Sequence, residues 1–157
     1  MLTIRELRSN DDLSAVLSLC RDFFAEYEIH HKEFFDLDHL TDDDISARFI
    51  DSITSEDSAT LMALVDNKIV GYALLVIRDQ PRFYKIKKIG AISGLMVDKN
   101  YRRRGIATKL LDKSKSFFRN RGINYYTLYT AVANQEAAEF YDKNGLTKLH
   151  YSYLGES

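Results

Sequence analysis

A basic turn that leads into a helix is the part of this sequence best suited to hold an anion. It runs from Leu95 to Ala107 and places three consecutive arginines, at positions 102–104, directly before Gly105. The start of a helix presents unpaired backbone N–H groups and a partial positive charge, so a phosphate or pyrophosphate fits there. Gly105 and Ala107 have little or no side chain, which leaves their amides open to phosphate oxygens. On these residues alone, a solvated basic turn before an amphipathic helix is an equally good interpretation.

Two familiar phosphate-binding motifs are absent from the sequence. It contains no Gly-x-x-x-x-Gly-Lys-Ser/Thr, which excludes a nucleotide triphosphatase loop, and no Gly-x-Gly-x-x-Gly after the first strand. The net charge is −1, so no overall field favours nucleic acid or a membrane surface. A nucleic-acid face built on the arginine triplet together with Lys85, Lys87 and Lys88 is therefore disfavoured.

Cysteine content and hydropathy indicate in which cellular compartment the protein is expected. Cys20 is the one cysteine, so no disulfide can form within the chain. No apolar run approaches the roughly 20 residues that a membrane helix needs. The first six residues alternate like a strand and lack the apolar stretch of a signal peptide. We therefore expect a cytoplasmic protein without a membrane segment.

Hydrophobic spacing predicts the strands and helices that hold the basic turn in place. Alternating apolar residues predict strands at 2–7, 59–65, 68–77, 86–97, 125–131 and 147–154. Apolar residues at helical spacing predict helices that begin near residues 9–12, 41, 106 and 134. The Asp66-Asn67 connection predicts a hairpin, and Gly90 and Gly94 predict a bulge or a close approach within a long strand. Strand–helix–strand units joined to a hairpin predict an α/β (mixed α+β) fold, with helices on the faces of a mixed sheet.

Two motifs in order make the sequence resemble the GCN5-related N-acetyltransferase (GNAT) superfamily. The first is Arg102-x-x-Gly105-x-Ala107, which is similar to the family's Gln/Arg-x-x-Gly-x-Gly/Ala signature and follows a similar strand end, Leu95-Met96-Val97. The second resembles the family's later helix signature and reads Asn134-x-x-Ala137-x-x-Phe140-Tyr141-x-x-x-Gly145-Leu146. The family usually has Phe where Leu146 stands.

The resemblance implies a fold and a co-substrate. The fold is a GNAT-like domain spanning residues 1–157, whose central sheet is twisted, mixed and mostly antiparallel, with six or seven strands and helices on both faces. The strands at 86–97 and 125–131 are expected to splay apart and admit acetyl-coenzyme A (acetyl-CoA). Many relatives are homodimers, so the resemblance also implies a homodimer.

The resemblance also implies which residues bind the cofactor. Backbone groups of the long strand would bind the pantetheine arm, and amides of the turn would bind the pyrophosphate. Arg102 would stabilise the turn or contact phosphate, and Asn134 would contact the pantetheine arm, cap its helix, or do both. The cofactor-binding positions are Leu95, Met96, Val97, Arg102, Arg103, Arg104, Gly105, Ile106, Ala107, Thr108, Asn134 and Ala137.

Tyr141 is the expected general acid for the departing thiolate of coenzyme A. It lies one helical turn after Ala137, whose small side chain leaves room for the cofactor on that face. A thiol titrates near about 8.5 and a phenol near about 10, so proton transfer between them is roughly balanced. A tyrosine that only packs in the core is the alternative.

The acceptor is expected to be a primary amine, in a small molecule, polyamine, aminoglycoside or peptide, and no metal is expected. Acids between Glu26 and Asp44 would attract a cationic acceptor, although an exposed helix start and loop explain them as well. The acceptor-binding candidates are Glu26, Glu33, Phe34 and Ser93, and the candidate bases include Glu28, His30 and His31 as well. A catalytically silent acyl-CoA sensor or interaction module of the same fold is the alternative function.

Overall fold

The described part of the chain is built on one central sheet. The structure is a computed structural model and describes residues 1–30, 33–35 and 37–157. Its elements are β1 (Leu2–Glu6), α1 (Ser14–His30), α2 (Asp42–Thr54), β2 (Ser58–Val65), β3 (Lys68–Asp79), β4 (Lys88–Val97), α3 (Ile106–Arg119), β5 (Tyr126–Thr127) and α4 (Gln135–Lys143). A short 3₁₀ turn, Lys99–Tyr101, lies between β4 and α3.

The five strands follow chain order across the sheet, β1-β2-β3-β4-β5. The first three pairs are antiparallel, and β4 pairs with β5 in parallel. Asp66 and Asn67 connect β2 to β3 with φ angles of 49° and 66°, the left-handed geometry of a tight hairpin turn. This confirms the predicted hairpin and the predicted mixed, mostly antiparallel sheet.

Helices cover both faces of the sheet, as the sequence predicts. On one face, α1 packs against β3 and β4 and α2 packs against β2 and β3, with Phe49 and Tyr72 in edge-to-face contact at 5.4 Å. On the other face, α3 buries a stripe at helical spacing that includes Leu110, Leu111 and Phe118. The helix predicted to begin near residue 41 does so, and Thr41 and Asp44 form a capping box through reciprocal hydrogen bonds.

Two glycines of β4 let other groups approach closely, as predicted from their place inside a strand. A Cβ at Gly90 would lie 2.6 Å from the ring of Phe118 on α3, so only glycine fits under that ring. Next to Gly94 the ladder is interrupted, because Leu74 pairs with Gly94 and Leu75 pairs with Ile92. Ser93 is therefore the extra residue of a β-bulge, which bends the strand.

The prediction of six or seven strands is wrong in number, because the described residues form five. The predicted strand at 147–154 is absent, and Leu149, Tyr151 and Tyr153 are largely exposed. The strand predicted at 125–131 shortens to Tyr126–Thr127. An alternating sequence favours a strand, but a strand also needs a neighbouring strand to pair with. The two residues of β5 offer too short an edge for that pairing. Among the described residues, no helix is long and apolar enough to cross a membrane.

Candidate functional site

An open strand edge lines a large cavity beside β4. The ladder between β4 and β5 holds only at Gly90–Tyr126 and Ala91–Thr127. From Ile92 to Val97 the edge of β4 faces a cavity of about 950 Å³. The predicted splay between the two strands is therefore confirmed. Unpaired backbone groups along such an edge can bind an extended ligand as an added strand would.

The basic turn supplies free backbone donors at one end of this cavity. Gly105 is the N-cap of α3 with φ at 74°, and its side chain can make no cap. The first helical hydrogen bond runs from the Lys109 amide to the Gly105 carbonyl at 3.1 Å. The amides of Ile106, Ala107 and Thr108 come before it, and all three residues line the cavity. Free donors at the positive end of a helix can bind an anion.

Local contacts fix the shape of the turn before α3. The Asp98 carboxylate accepts a hydrogen bond from the Asn100 amide at 2.9 Å, and the Asp98 amide donates to the Val70 carbonyl at 2.8 Å. The ring of Tyr101 has the Arg104 guanidinium 5.2 Å from its centroid. The turn is thus tied to both the sheet and its own aromatic residue before any ligand binds.

The three arginines of the turn have different surroundings. Arg102 donates from Nε to the Val97 carbonyl at 2.9 Å and from a terminal nitrogen to Glu26 at 2.6 Å. It therefore braces the turn against α1, the first of its two predicted roles. Arg103 lines the cavity, whereas Arg104 donates to the Asn100 carbonyl at 3.2 Å and lies outside the lining.

Tyr141 lies in the same cavity, on α4. Burial, followed by the neighbouring phenols Tyr27 and Tyr126, raises the pKa of Tyr141 to about 12. Its hydroxyl makes no hydrogen bond to any residue that the structure describes, so its proton is available for a ligand. Ala137 lines the same wall one turn earlier, and Asn134 caps α4 by accepting from the Ala137 amide at 3.2 Å.

The opposite wall of the cavity comes from α1, α2 and the end of β3. Of the predicted acceptor residues, Glu26 and Ser93 line the cavity, and Ser93 donates from Oγ to the Leu74 carbonyl at 3.4 Å. Glu33 and Phe34 are outside the lining, and Phe34 is 62% exposed. The candidate base His30 lines the cavity and Glu28 does not, whereas His31 lies outside the described residues.

Several lining residues were not singled out from the sequence. Tyr27 stacks on Phe23 at 5.3 Å, one turn earlier on α1, and meets Phe35 edge-to-face at 5.0 Å. Spacing by four residues on a helix could have flagged the first pair. Arg48 and Arg78 come from α2 and β3, and no local pattern connects them. The described residues contain no group of three or more histidines, cysteines or acids placed to hold a metal.

Comparison with known proteins agrees with this geometry. The acetyltransferase (GNAT) family profile matches residues 18–146. Over 94 residues the chain is 33% identical to N-alpha-acetyltransferase 30 of Schizosaccharomyces pombe, covering 60% of this chain and 61% of that protein. Over 108 residues it is 32% identical to an N-alpha-acetyltransferase of Saccharolobus solfataricus, covering 64% of each. The chain thus spans a little less than two thirds of the length of these curated relatives.

Solved structures show the same fold at low sequence identity. The aminoglycoside N-acetyltransferase AAC(6')-Iy in complex with CoA superposes with a TM-score of 0.81 at 17% identity, covering 100% of this chain and 95% of that one. A "predicted acetyltransferase with acetyl-CoA" from Clostridium acetobutylicum gives 0.77 at 20% identity, covering 99% and 96%. The family match, the fold and the open edge of β4 lead to the same result: the chain belongs to the acetyltransferase (GNAT) family.

Proposed function

We propose that this protein transfers an acetyl group from acetyl-CoA to a primary amine by direct attack within a ternary complex. One observation carries the proposal: a single cavity joins the free amides at the start of α3, the open edge of β4 and the unbonded hydroxyl of Tyr141. The CoA-bound structural neighbours and the relatives named as N-alpha-acetyltransferases support it.

The cofactor would lie along the cavity with its charge at the turn and its thioester near the bulge. Amides from Gly105 to Thr108 would bind the pyrophosphate, where the partial positive charge of α3 adds to the hydrogen bonds. The backbone of Leu95–Val97 would bind the pantetheine arm as a neighbouring strand does. Asn134 and Ala137 on α4 would form the opposite side of that channel.

In the reaction, a neutral amine nitrogen attacks the thioester carbonyl carbon. The C–N bond forms, the C–S bond breaks, and the nitrogen loses a proton while the sulfur gains one. Deprotonation at pH 7 costs about 4.6 kcal/mol for a lysine-like amine and about 1 kcal/mol for an α-amine. An α-amine therefore makes a smaller demand on any base, which agrees with the names of the curated relatives.

Tyr141 would stabilise the leaving sulfur as a hydrogen-bond donor. With its pKa at about 12, full transfer of its proton to a thiolate whose acid titrates near about 8.5 would cost about 5 kcal/mol. The sequence predicts a roughly balanced proton transfer from Tyr141 to the thiolate, whereas the raised pKa of Tyr141 makes complete transfer unfavourable. A hydrogen bond to the developing charge needs no complete transfer, and the proton that sulfur finally keeps can come from the acylated nitrogen, which is the stronger acid.

Release of free thiol from acetyl-CoA, measured across a panel of amines, tests the proposed function. We expect turnover with at least one amine, and none without an acceptor beyond slow hydrolysis. Acetyl-CoA affinity is measured in parallel by calorimetry. Tight binding of acetyl-CoA without thiol release from any amine would contradict the enzyme and favour the silent sensor.

A further inference from the structure

Two arginines on the acceptor side of the cavity have no partner among the residues that the structure describes. Arg48 lies on α2, and Arg78 lies near the end of β3. Both line the cavity, and neither guanidinium has a hydrogen bond or ion pair within the described part of the chain. Both side chains are exposed. A guanidinium that faces a ligand cavity can pair with a carboxylate, because its planar fork matches the two oxygens.

Two of the acids nearest to these arginines in the sequence have other partners, and the third, Asp51, lies outside the cavity lining. Asp44, one turn before Arg48, accepts hydrogen bonds from the Thr41 amide at 2.9 Å and the Thr41 hydroxyl at 2.7 Å. Asp79, which follows Arg78, pairs with Lys88 at 3.3 Å. Neither carboxylate forms an ion pair with the arginine beside it. The two positive charges on the wall therefore remain available to a ligand.

Two of the acids that were expected to attract a cation lie on the same wall. Glu26 lines the cavity but pairs with Arg102 at 2.6 Å. Asp44 lines a side chamber together with Arg48 and accepts hydrogen bonds only from Thr41, so it keeps its negative charge. Because Arg48 and Arg78 outnumber this one acid, the wall keeps a net positive charge, which favours an acceptor with an anionic group over a polyamine.

The position of Arg48 places its charge in the same side chamber as the bulge of β4. A side chamber of about 120 Å³ opens beside the cavity, and its lining includes Arg48, Tyr72, Leu74 and Ser93. Ser93 is the bulge residue of β4, opposite Leu74. Arg78 is on the same face of β3 as Tyr72 and Leu74, because side chains four and six residues apart along a strand point to one side. Both arginines thus belong to the cavity wall on the α2 and β3 side of the bulge.

We propose that the acceptor is an aminocarboxylate, an amine whose own carboxylate is bound by Arg48 and Arg78 while its nitrogen attacks acetyl-CoA. This assignment rests on the proposed function and narrows its acceptor class. The carboxylate would anchor the acceptor on the α2 and β3 side of the bulge. Its amine would then point towards the open edge of β4.

Binding of stable conjugates tests the assignment without depending on turnover. The probes are CoA joined through an S-acetyl group to the nitrogen of 4-aminobutyrate, its neutral isostere 4-aminobutanamide, and the corresponding aminophosphonate. Calorimetry compares their affinities for the wild type, for the Arg48→Gln/Arg78→Gln double variant and for Arg82→Gln. Arg82 is an arginine outside the cavity lining and serves as the matched control.

We expect the wild type to bind the carboxylate conjugate about tenfold more tightly than the amide, as two partly exposed charge pairs allow. The preference should vanish in the double variant, persist in Arg82→Gln, and shrink in high salt because exposed charges are screened. Equal affinity in the wild type, or a preference that survives in the double variant, would overturn the assignment. Tighter binding of the phosphonate conjugate than of the carboxylate conjugate would overturn the carboxylate assignment in favour of an acceptor that carries a phosphate group. Failure of the proposed function would show separately, as absent thiol release with every amine.

Discussion

On the proposed function, the two halves of the cavity would bind their ligands by different means. On the cofactor half, the donors would be backbone amides at the start of α3 and along the edge of β4. On the acceptor half, the wall consists of side chains from α1, α2 and β3, including Tyr27, Arg48 and Arg78. Backbone donors require a particular local conformation, whereas side-chain contacts require only that distant elements meet.

This difference decides which substitutions each half tolerates. A conformation such as the φ of 74° at Gly105 restricts the residue type itself, so the cofactor half is sensitive to changes at single small residues. The acceptor half can exchange one side chain for another and change its ligand while keeping its fold. The following predictions test the contrast, from the largest expected effect to the smallest.

The largest effect is expected from Gly105→Val on the cofactor half. Nothing lies within 4 Å of a Cβ built at Gly105, so the fold has room, but the new side chain would occupy the place of the pyrophosphate. We expect acetyl-CoA affinity to fall by about 100-fold or more, the loss of several charge-assisted hydrogen bonds. Gly122→Val is the matched control, because Gly122 has a φ of 72° and equally open surroundings far from the cavity.

Calorimetry with acetyl-CoA and a thermal melt of each variant separate binding from folding. Both glycine variants should lose similar stability through the same backbone strain. Only the variant at position 105 should lose the cofactor. Unchanged affinity for acetyl-CoA in Gly105→Val would show that the pyrophosphate does not bind at the start of α3.

Tyr141→Phe should lower kcat by about 100-fold while leaving the affinity for acetyl-CoA nearly unchanged, since its donor acts on charge that develops only during the reaction. Tyr126→Phe is the control: this neighbouring phenol stacks on Phe118 at 5.8 Å and is outside the cavity lining. Initial rates of thiol release give kcat and KM for each variant. A loss of similar size in kcat and in acetyl-CoA affinity would make Tyr141 a packing residue.

The contrast between the halves also explains what the sequence predicts. The fold class, the hairpin at Asp66-Asn67, the caps at Thr41 and Asn134 and the close approach at Gly90 all depend on local chemistry. The turn before α3 can likewise be predicted from local sequence, because the spacing of its arginines and Gly105 is typical of such a turn.

The remaining features depend on partners that are distant in sequence. The segment at 147–154 alternates like a strand, yet the described structure gives it no edge to pair with. Residues that come to line one cavity only in the fold, such as Tyr27 with Tyr141 and Arg48 with Arg78, carry no shared local pattern. The ion pair between Glu26 and Arg102 crosses 76 positions of sequence, so Glu26 could be proposed for the site but not assigned its partner.

The packing of α3 on the sheet, outside the cavity, should be sensitive to added volume. In Gly90→Ala the new methyl group would lie 2.6 Å from the ring of Phe118, so α3 must shift from the strand. We expect a loss of about 1–3 kcal/mol in the free energy of unfolding and a Tm lowered by several degrees. Gly155→Ala, with nothing within 4 Å, should leave the Tm unchanged. Equal melting temperatures for the two variants would show that Phe118 can move freely.

The raised pKa of Tyr141 predicts an alkaline loss of stability. Its folded pKa of about 12 lies above the unfolded value of about 10, so the folded state holds this proton more tightly. The resulting stability is fully present below pH 10 and is lost as the pH rises towards 12, by about 1 kcal/mol at pH 11. Tyr141→Phe should lose less stability than the wild type between pH 9 and pH 11 in urea titrations. Equal losses in both proteins would contradict the shift.

The smallest effect is expected at the contact that joins the two halves, the ion pair between Glu26 and Arg102. Its side chains are 45% and 30% exposed, so the pair should contribute no more than about 1 kcal/mol. Because Arg102 also donates to the Val97 carbonyl, Glu26→Gln should loosen the turn without releasing it. The KM for acetyl-CoA should then rise a few-fold at nearly constant kcat. The control Arg21→Gln breaks an exposed ion pair with Asp42 outside the cavity and should change neither constant.

A fall in kcat of more than about 100-fold in Glu26→Gln, with loss of the acidic limb of the pH profile, would instead make Glu26 the base that deprotonates the amine. Glu26 would then act on the acceptor, and the hydrogen bond from Arg102 to the Val97 carbonyl would be the contact that holds the turn.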